Sequence, residues 1–153
     1  MKKCAIVGVG GRHKMFREAL VKEYAVNHQL VAICDSNPGR LRYAEQSLKK
    51  SNVSVACYLE KDFDKLLRVE KPDILIVTSP DYTHHKYIIA GAKNGCQVIS
   101  EKPITSSLVK LKKIVTELNK AQTTATITHN YRYSPYRSQV KELLMSGTIG
   151  TVK

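Results

Sequence analysis

The chain has 153 residues, of which 42% are hydrophobic and 25% are charged. This length suits one domain with a sizeable core, and the composition is ordinary for a soluble globular protein. No apolar run approaches the length of a membrane span. The basic N-terminal residues and the apolar run after them could suggest a secretory signal, but that run ends in a glycine turn and has no cleavage site. We therefore expect a cytoplasmic protein with no membrane partner.

The net charge is +12, from 25 Lys and Arg against 13 Asp and Glu. Such a balance can indicate nucleic-acid binding. However, the basic residues are spread along the chain and no recognition motif accompanies them, so we interpret them as exposed helix faces and predict no nucleic-acid partner. The positive field still favours anionic ligands. The four cysteines form no C-x-x-C pair, which predicts buried free thiols and no metal site.

Six apolar runs of strand length alternate with helical patterns. The predicted strands cover residues 4–7, 30–34, 54–58, 73–78, 97–100 and 125–128. The predicted helices cover residues 14–24, 38–50, a short segment from 63, then 83–93, 108–118 and a last one from 135 to about 146. Asn37 is the expected N-cap of the second helix, with Pro38 in its first turn.

This alternation predicts an α/β fold with a doubly wound, parallel six-stranded sheet. Right-handed crossovers leave few topologies, and the strand order 3-2-1-4-5-6 is the natural one. Ligands of such sheets bind outside the carboxyl ends of the strands. The residues that follow each strand are therefore the candidates for a functional site.

The first strand ends in the sequence G-V-G-G-R-H, residues 8–13. A glycine turn between a strand and a helix is typical of dinucleotide binding, because Gly8 permits the tight turn and Gly10 lets a pyrophosphate approach the backbone. The helix that follows directs free N–H groups at that phosphate. His13 stands in place of the third glycine, so we expect its side chain to point at the pyrophosphate or outward. The alternative is an ordinary tight β–α turn.

Asp35 follows the second strand. A carboxylate there can accept hydrogen bonds from both ribose hydroxyls of an adenosine and would repel a 2′-phosphate, so it favours NAD over NADP. Arg40 lies nearby and would favour a 2′-phosphate, which leaves NADP open. The alternative for Asp35 is a turn or capping residue.

Polar residues also follow the last three strands. Thr78 and Ser79 offer hydroxyls in a loop that Pro80 stiffens, and two histidines begin the next helix. Glu101 and Lys102 form an ionisable pair at the end of a buried strand, which is costly unless it is paired or used. A lysine in that position can donate a proton, although the pair can equally be a surface ion pair. A polar and aromatic segment, residues 129–133, follows the sixth strand.

Taken together, these segments closely resemble the Gfo/Idh/MocA family of NAD(P)-dependent oxidoreductases. The matching stretches are the glycine turn, D-S-N-P at 35–38, T-S-P-D-Y-T-H at 78–84, E-K-P at 101–103 and N-Y-R-Y at 130–133. The resemblance implies that Lys102 lies beside the nicotinamide and the substrate as the catalytic residue. It also implies a cofactor-binding set made of Gly8, Gly10, Gly11, Arg12, His13, Asp35, Ser36, Asn37, Thr78, Ser79, Pro80, His84, Glu101, Lys102 and Asn130.

The resemblance further implies hydride transfer on a sugar, an inositol or a related polyol, with NAD as the cofactor. It implies a Rossmann domain over residues 1–146, with residues 147–153 opening a second domain that carries the substrate face and the homo-oligomer contacts. We therefore expect a truncated chain that binds the cofactor without turnover, and an exposed apolar surface on its last helix. The alternative is a non-enzymatic NAD(H)-binding sensor or partner-binding module.

Overall fold

Six parallel strands form the central sheet of the computed structural model, which describes residues 1–151. Their order is β3-β2-β1-β4-β5-β6, and every neighbouring pair is parallel. The strands are β1 (Lys2–Val7), β2 (His28–Asp35), β3 (Ala56–Leu59), β4 (Ile74–Val77), β5 (Gln97–Glu101) and β6 (Ala125–Thr128). The predicted fold and strand order are confirmed.

Six α-helices connect and follow the strands. They are α1 (His13–Val21), α2 (Pro38–Lys49), α3 (Phe63–Glu70), α4 (His84–Lys93), α5 (Leu108–Ala121) and α6 (Pro135–Met145). Short 3-10 helices lie at Glu60–Asp62, Asp81–Thr83 and Asn130–Tyr133. As predicted, Asn37 caps α2: its side chain accepts hydrogen bonds from the backbone N–H groups of Gly39 and Arg40.

Two hydrophobic cores lie on opposite faces of the sheet, because successive side chains of a strand point to opposite sides. Alternate residues of β1 divide between them: Ala5 and Val7 pack with α3, α4 and α5, whereas Ile6 packs with α1 and α2. All four residues of β4 are buried. A strand covered on both faces explains why the central runs are continuously apolar.

Predicted boundaries are wrong at several elements, and β2 begins at His28, two residues earlier than expected. The first helix ends at Val21 and not near Tyr24, whose side chain is 58% exposed. Apolar spacing also missed His13 and Arg17, which are buried on α1 together with Leu20. The third strand begins at Ala56, two residues later than expected.

The last helix differs from the others because it buries none of its residues. The predicted exposed apolar surface is present, with Val140, Leu143 and Leu144 38%, 50% and 40% exposed. The second domain is predicted to open at residues 147–153. Of these, Val152 and Lys153 lie outside the described residues. None of the helices in residues 1–151 combines the length and the apolar character needed to cross a bilayer.

Candidate functional site

The carboxyl ends of the strands form one polar edge with two depressions. The larger, of about 670 Å³, lies over the ends of β1, β4, β5 and β6. The smaller, of about 150 Å³, lies over the ends of β1 to β4, and Ser79 lines both. This edge is where a doubly wound sheet binds its ligands.

Gly8 brings the first strand end against the fourth. A Cβ at this position would lie 2.4 Å from the backbone nitrogen of Ser79, and its φ is +90°. The hydroxyl of Thr78 fastens the same junction by donating to the carbonyl oxygen of Gly8 at 2.6 Å. Both the backbone conformation and the close approach therefore require glycine.

Gly10 and Gly11 are different, because a Cβ at either would meet no atom of the chain within 4 Å. The protein's own packing does not demand glycine there. A group that lies directly against the backbone would, and a pyrophosphate at the start of α1 is such a group. The turn therefore fits the predicted dinucleotide.

His13 is buried beneath the turn, with only 1% of its surface exposed. Its Nδ1 contacts the carbonyl oxygen of Gly10, and no partner reaches its buried Nε2 among the described residues. Burial lowers the pKa of the imidazole, which favours the neutral form. Neither expected orientation, toward the pyrophosphate or outward, is found, because the ring is turned inward.

Asp35 is buried, and both of its carboxylate oxygens accept backbone hydrogen bonds. Val9 donates to Oδ2 at 2.7 Å and Asn37 donates to Oδ1 at 2.8 Å. The guanidinium of Arg40 lies 3.9 Å from Oδ1. The carboxylate therefore holds the glycine turn against the start of α2, in addition to any ribose contact. Ser36 beside it is exposed and, with Asp35 and Arg40, lines the smaller depression.

Glu60 follows β3 and also lines the smaller depression, although the sequence analysis overlooked it. Its carboxylate accepts from Nζ of Lys86 at 2.9 Å and from the hydroxyl of Tyr87 at 3.0 Å. The hydrogen bond from Lys86 is the main cause of a lowered pKa of Glu60, and the hydrogen bond from Tyr87 lowers it further. Applying the strand-end rule to the third strand as well would have found it.

Glu101 is paired with Arg12 and not with its neighbour Lys102. Nε of Arg12 lies 2.9 Å from Oε1 of Glu101, and the hydroxyl of Thr128 donates to the same oxygen at 2.9 Å. This pair links the glycine turn to β5 and β6, so a surface Glu101–Lys102 ion pair is not what stabilises the buried carboxylate. The free-energy cost of burying the Glu101 carboxylate is offset by these partners.

Lys102 is exposed and lines the larger depression. Thr78, Ser79, His84, Glu101 and Asn130 of the predicted set line it as well. Asp81, His129, Tyr131 and Arg132 complete the lining together with Arg12. The structure thus brings the predicted residues from four strand ends into one cleft.

The loop after β4 is held by a chain of hydroxyl groups. Thr83 donates to the carbonyl oxygen of Pro80 at 2.6 Å, and its oxygen lies 2.7 Å from Oγ of Ser79. Because the single proton of the Thr83 hydroxyl is used, Ser79 donates to Thr83. The loop geometry is therefore set before any ligand arrives.

His84 closes the floor of the same loop and is completely buried. Its Nδ1 lies 2.7 Å from the carbonyl oxygen of Pro103, and its Nε2 lies 2.9 Å from the carbonyl oxygen of Ser79. Both ring nitrogens are thus occupied by the backbone. The imidazole shapes the cleft and leaves no ring nitrogen to bond a cofactor directly.

All four cysteines are free, and three of them are buried as predicted: Cys4, Cys34 and Cys96. Burial raises the pKa of Cys4 and Cys96 to about 11 and that of Cys34 to about 12, which makes these thiols unreactive. Cys57 is exposed. Within residues 1–151, His, Cys, Asp and Glu form no group of three or more that could hold a metal ion.

Comparison with known proteins shows which family the chain resembles. Residues 2–129 match the family model described as "Oxidoreductase family, NAD-binding Rossmann fold", under the name GFO_IDH_MocA. A Bacillus subtilis protein named as an oxidoreductase, YteT, is 30% identical over 99% of this chain and 36% of its own length. The inositol 2-dehydrogenase of Rubrobacter xylanophilus is 31% identical over 95% of this chain and 40% of its own length.

Solved structures share the fold. Scyllo-inositol dehydrogenase from Lactobacillus casei, with bound NAD(H) and scyllo-inositol, matches with a TM-score of 0.78 at 23% identity. That match covers 98% of this chain and 42% of the other. The chain thus spans about two fifths or less of the length of these relatives.

Proposed function

This chain belongs to the Gfo/Idh/MocA family of oxidoreductases and is an NAD-binding Rossmann domain, and we propose that its carboxyl edge binds NAD(H) for hydride transfer on a sugar, an inositol or a related polyol. The observation that carries this proposal is that two depressions adjoin the glycine turn: Gly8 lines the smaller, Arg12 lines the larger, and Ser79 lines both. An elongated dinucleotide needs such a paired site with a phosphate cradle between its halves.

In this arrangement the smaller depression takes the adenosine half. Asp35 and Ser36 lie where the ribose would be, and Glu60 and Tyr87 form the side of the pocket beyond it. Asn37 contributes by capping α2, which positions Asp35. The pyrophosphate lies against Gly10 and Gly11 at the start of α1.

The larger depression takes the nicotinamide half and the reacting carbon of the substrate. When bound, the nicotinamide supplies the hydride chemistry. Lys102, exposed within this cleft, would hold or move the proton of the substrate hydroxyl. Arg12 and Glu101 fix the wall beside it through their ion pair. Asn130 borders the same cleft from the segment after β6.

The cofactor proposal is tested by calorimetry on the chain of residues 1–153. We expect weak binding of NAD and weaker binding of NADP, because the buried Asp35 carboxylate repels a 2′-phosphate. Arg40→Ala should weaken NADP more than NAD, since this guanidinium is the cation beside Asp35. A folded sample that binds neither nucleotide would contradict the proposal. Lys65→Ala, on α3 outside both depressions, is the control.

The role of Lys102 is tested in the complete protein. Lys102→Ala should lower the turnover rate by at least about 10²-fold if this amine moves the hydroxyl proton, because positioned acids and bases contribute on that order. Steady-state kinetics at saturating NAD give the comparison, again with Lys65→Ala as the control. A rate within a few-fold of the wild type would remove Lys102 from the catalytic role.

The remaining features of the complete protein are predictions from the relatives. Names such as "Myo-inositol 2-dehydrogenase" and "D-glucoside 3-dehydrogenase" among them support a polyol or sugar substrate. We infer that a Rossmann domain over residues 1–146 precedes a second domain that supplies substrate and homo-oligomer contacts. A cytoplasmic location and the absence of a nucleic-acid partner also stay predictions.

A further inference from the structure

Glu60 is a charged residue at the adenosine end of the site, and the proposed function assigns it no contact with the cofactor. In the sheet, Leu59 of β3 pairs with Asp35 of β2, and Glu60 is the next residue along the chain. Both carboxylates line the smaller depression. With the ribose at Asp35 and the pyrophosphate at the glycine turn, the base extends from the far side of the ribose into this depression. Glu60 is therefore a candidate contact for the base.

The carboxylate of Glu60 is held in one orientation by donors from α4. Its Oε1 accepts from Nζ of Lys86 at 2.9 Å and from the hydroxyl of Tyr87 at 3.0 Å. The ring of Tyr87 is buried and packs edge-to-face on Phe63, with 4.8 Å between the ring centroids. A donor that belongs to the core cannot follow a moving side chain. The orientation of the carboxylate is therefore set before a nucleotide binds.

The second oxygen of this carboxylate, Oε2, has no donor. No residue from 1 to 151 donates a hydrogen bond to it. The hydrogen bonds from Lys86 and, to a lesser extent, Tyr87 lower the pKa of Glu60, so the carboxylate is ionised at neutral pH and can only accept. Asp35 differs, because backbone N–H groups already donate to both of its oxygens. Glu60 thus offers the smaller depression a carboxylate oxygen that still lacks a donor.

Adenine can supply that donor. Its 6-amino group donates hydrogen bonds, whereas its free ring nitrogens are acceptors. We propose that Oε2 of Glu60 accepts a hydrogen bond from the 6-amino group of the adenine, and that Glu60 thereby makes the site specific for an adenine dinucleotide. This inference rests on the proposed function, since it takes the ligand of the edge to be a dinucleotide.

Nicotinamide hypoxanthine dinucleotide is the probe for this contact. Its base has a carbonyl oxygen at position 6 in place of the amino group and a proton on the adjacent ring nitrogen, and its riboses, pyrophosphate and nicotinamide are those of NAD. Oε2 would face an acceptor, so the hydrogen bond would be lost. By calorimetry we expect the chain of residues 1–153 to bind NAD about tenfold or more tightly than the hypoxanthine dinucleotide, as for loss of a hydrogen bond to a charged group.

Glu60→Gln should remove this preference. If the side-chain oxygen keeps its hydrogen bonds from Lys86 and Tyr87, the amide NH₂ takes the place of Oε2. An NH₂ group cannot accept from the adenine amino group, but it can donate to the carbonyl oxygen of hypoxanthine. We expect the two dinucleotides to bind within about threefold of each other, or the hypoxanthine dinucleotide to bind more tightly.

The matched control is Glu70→Gln. Glu70 also accepts from a tyrosine hydroxyl, that of Tyr58 at 2.6 Å, and it lines neither depression. This variant loses a carboxylate of the same kind without changing the site. It should keep the wild-type preference for NAD.

Three outcomes would overturn the inference. Equal binding of the two dinucleotides by the wild-type chain would show that position 6 of the base is not read. A preference for NAD that persists in folded Glu60→Gln would assign the reading to another group. A folded wild-type chain that binds neither dinucleotide would contradict the proposed function as well, so the two failures are distinguishable. If Glu60→Gln does not fold by circular dichroism, the wild-type comparison decides.

Discussion

At the scale of single residues, the glycines of the turn serve separate purposes. Gly8 is required by the chain itself, because its φ is +90° and a Cβ would meet the backbone of Ser79 at 2.4 Å. Gly10 has open space where its Cβ would lie. The motif therefore combines one glycine needed for folding with others that leave room for a ligand.

This difference predicts opposite outcomes for two alanine substitutions. Gly8→Ala should lower the free energy of unfolding by at least about 2 kcal/mol, because it combines a disfavoured φ with overpacking. Gly10→Ala should change it by less than about 0.5 kcal/mol and should weaken NAD binding, since its methyl group would occupy the space of the pyrophosphate. Urea denaturation and calorimetry give the two quantities. Equal stability of the two variants would contradict this division.

His13 and Arg17 illustrate a limit of residue patterns. Both are polar and both lie on the buried face of α1, at 1% and 7% exposure. Apolar spacing alone assigns polar residues to the outside of a helix. Here the pattern failed in the first half of α1, where these two polar residues are buried.

At the scale of elements, α2 and α6 begin alike but are anchored differently. Asn37 caps α2 and Ser134 caps α6, and each side chain accepts from a backbone N–H of the first turn. The second helix buries Leu41, Ala44 and Leu48 in the core, whereas α6 buries none of its residues. Only α2 is therefore coupled to the stability of the sheet.

The two caps provide a matched pair of substitutions. Asn37→Ala should lower the free energy of unfolding of the chain by about 1 kcal/mol, the usual contribution of an N-cap. Ser134→Ala should leave it unchanged and reduce only the helical circular dichroism of α6. Chemical denaturation followed by circular dichroism checks both. A similar loss of stability in Ser134→Ala would mean that α6 is packed against the sheet.

At the scale of the whole molecule, the parallel topology concentrates function along one edge. Residues from all six strand ends meet there although they are up to about 120 positions apart in the chain, from Gly8 to Asn130. The Arg12–Glu101 pair then ties the end of β1 to that of β5, across β4, and the ring of His84 joins the loops that follow the neighbouring strands β4 and β5. These long-range contacts turn a row of loops into one preorganised site.

In contrast to the polar sheet edge, the exposed surface of α6 is partly apolar. Apolar side chains on this helix and just beyond it are exposed, including Val140, Leu143, Leu144, Met145 and Ile149. Contiguous apolar surfaces of this kind are typical of interaction sites. This helix ends the predicted Rossmann domain, and the second domain that would cover it stays a prediction.

The sequence by itself determined the fold class, the strand order, the Asn37 cap and the sheet edge at which the candidate residues gather. These features depend on local signals, namely continuous apolar runs, a glycine turn and polar strand ends, together with the handedness of crossovers. Only the tertiary structure decided which groups the buried polar side chains contact. It paired Glu101 with Arg12, gave the Asp35 oxygens to backbone N–H groups, turned His13 inward and set His84 between two carbonyl groups. Such partners are distant in the chain, and their choice depends on burial, where each polar atom must find a partner among those that the fold brings close.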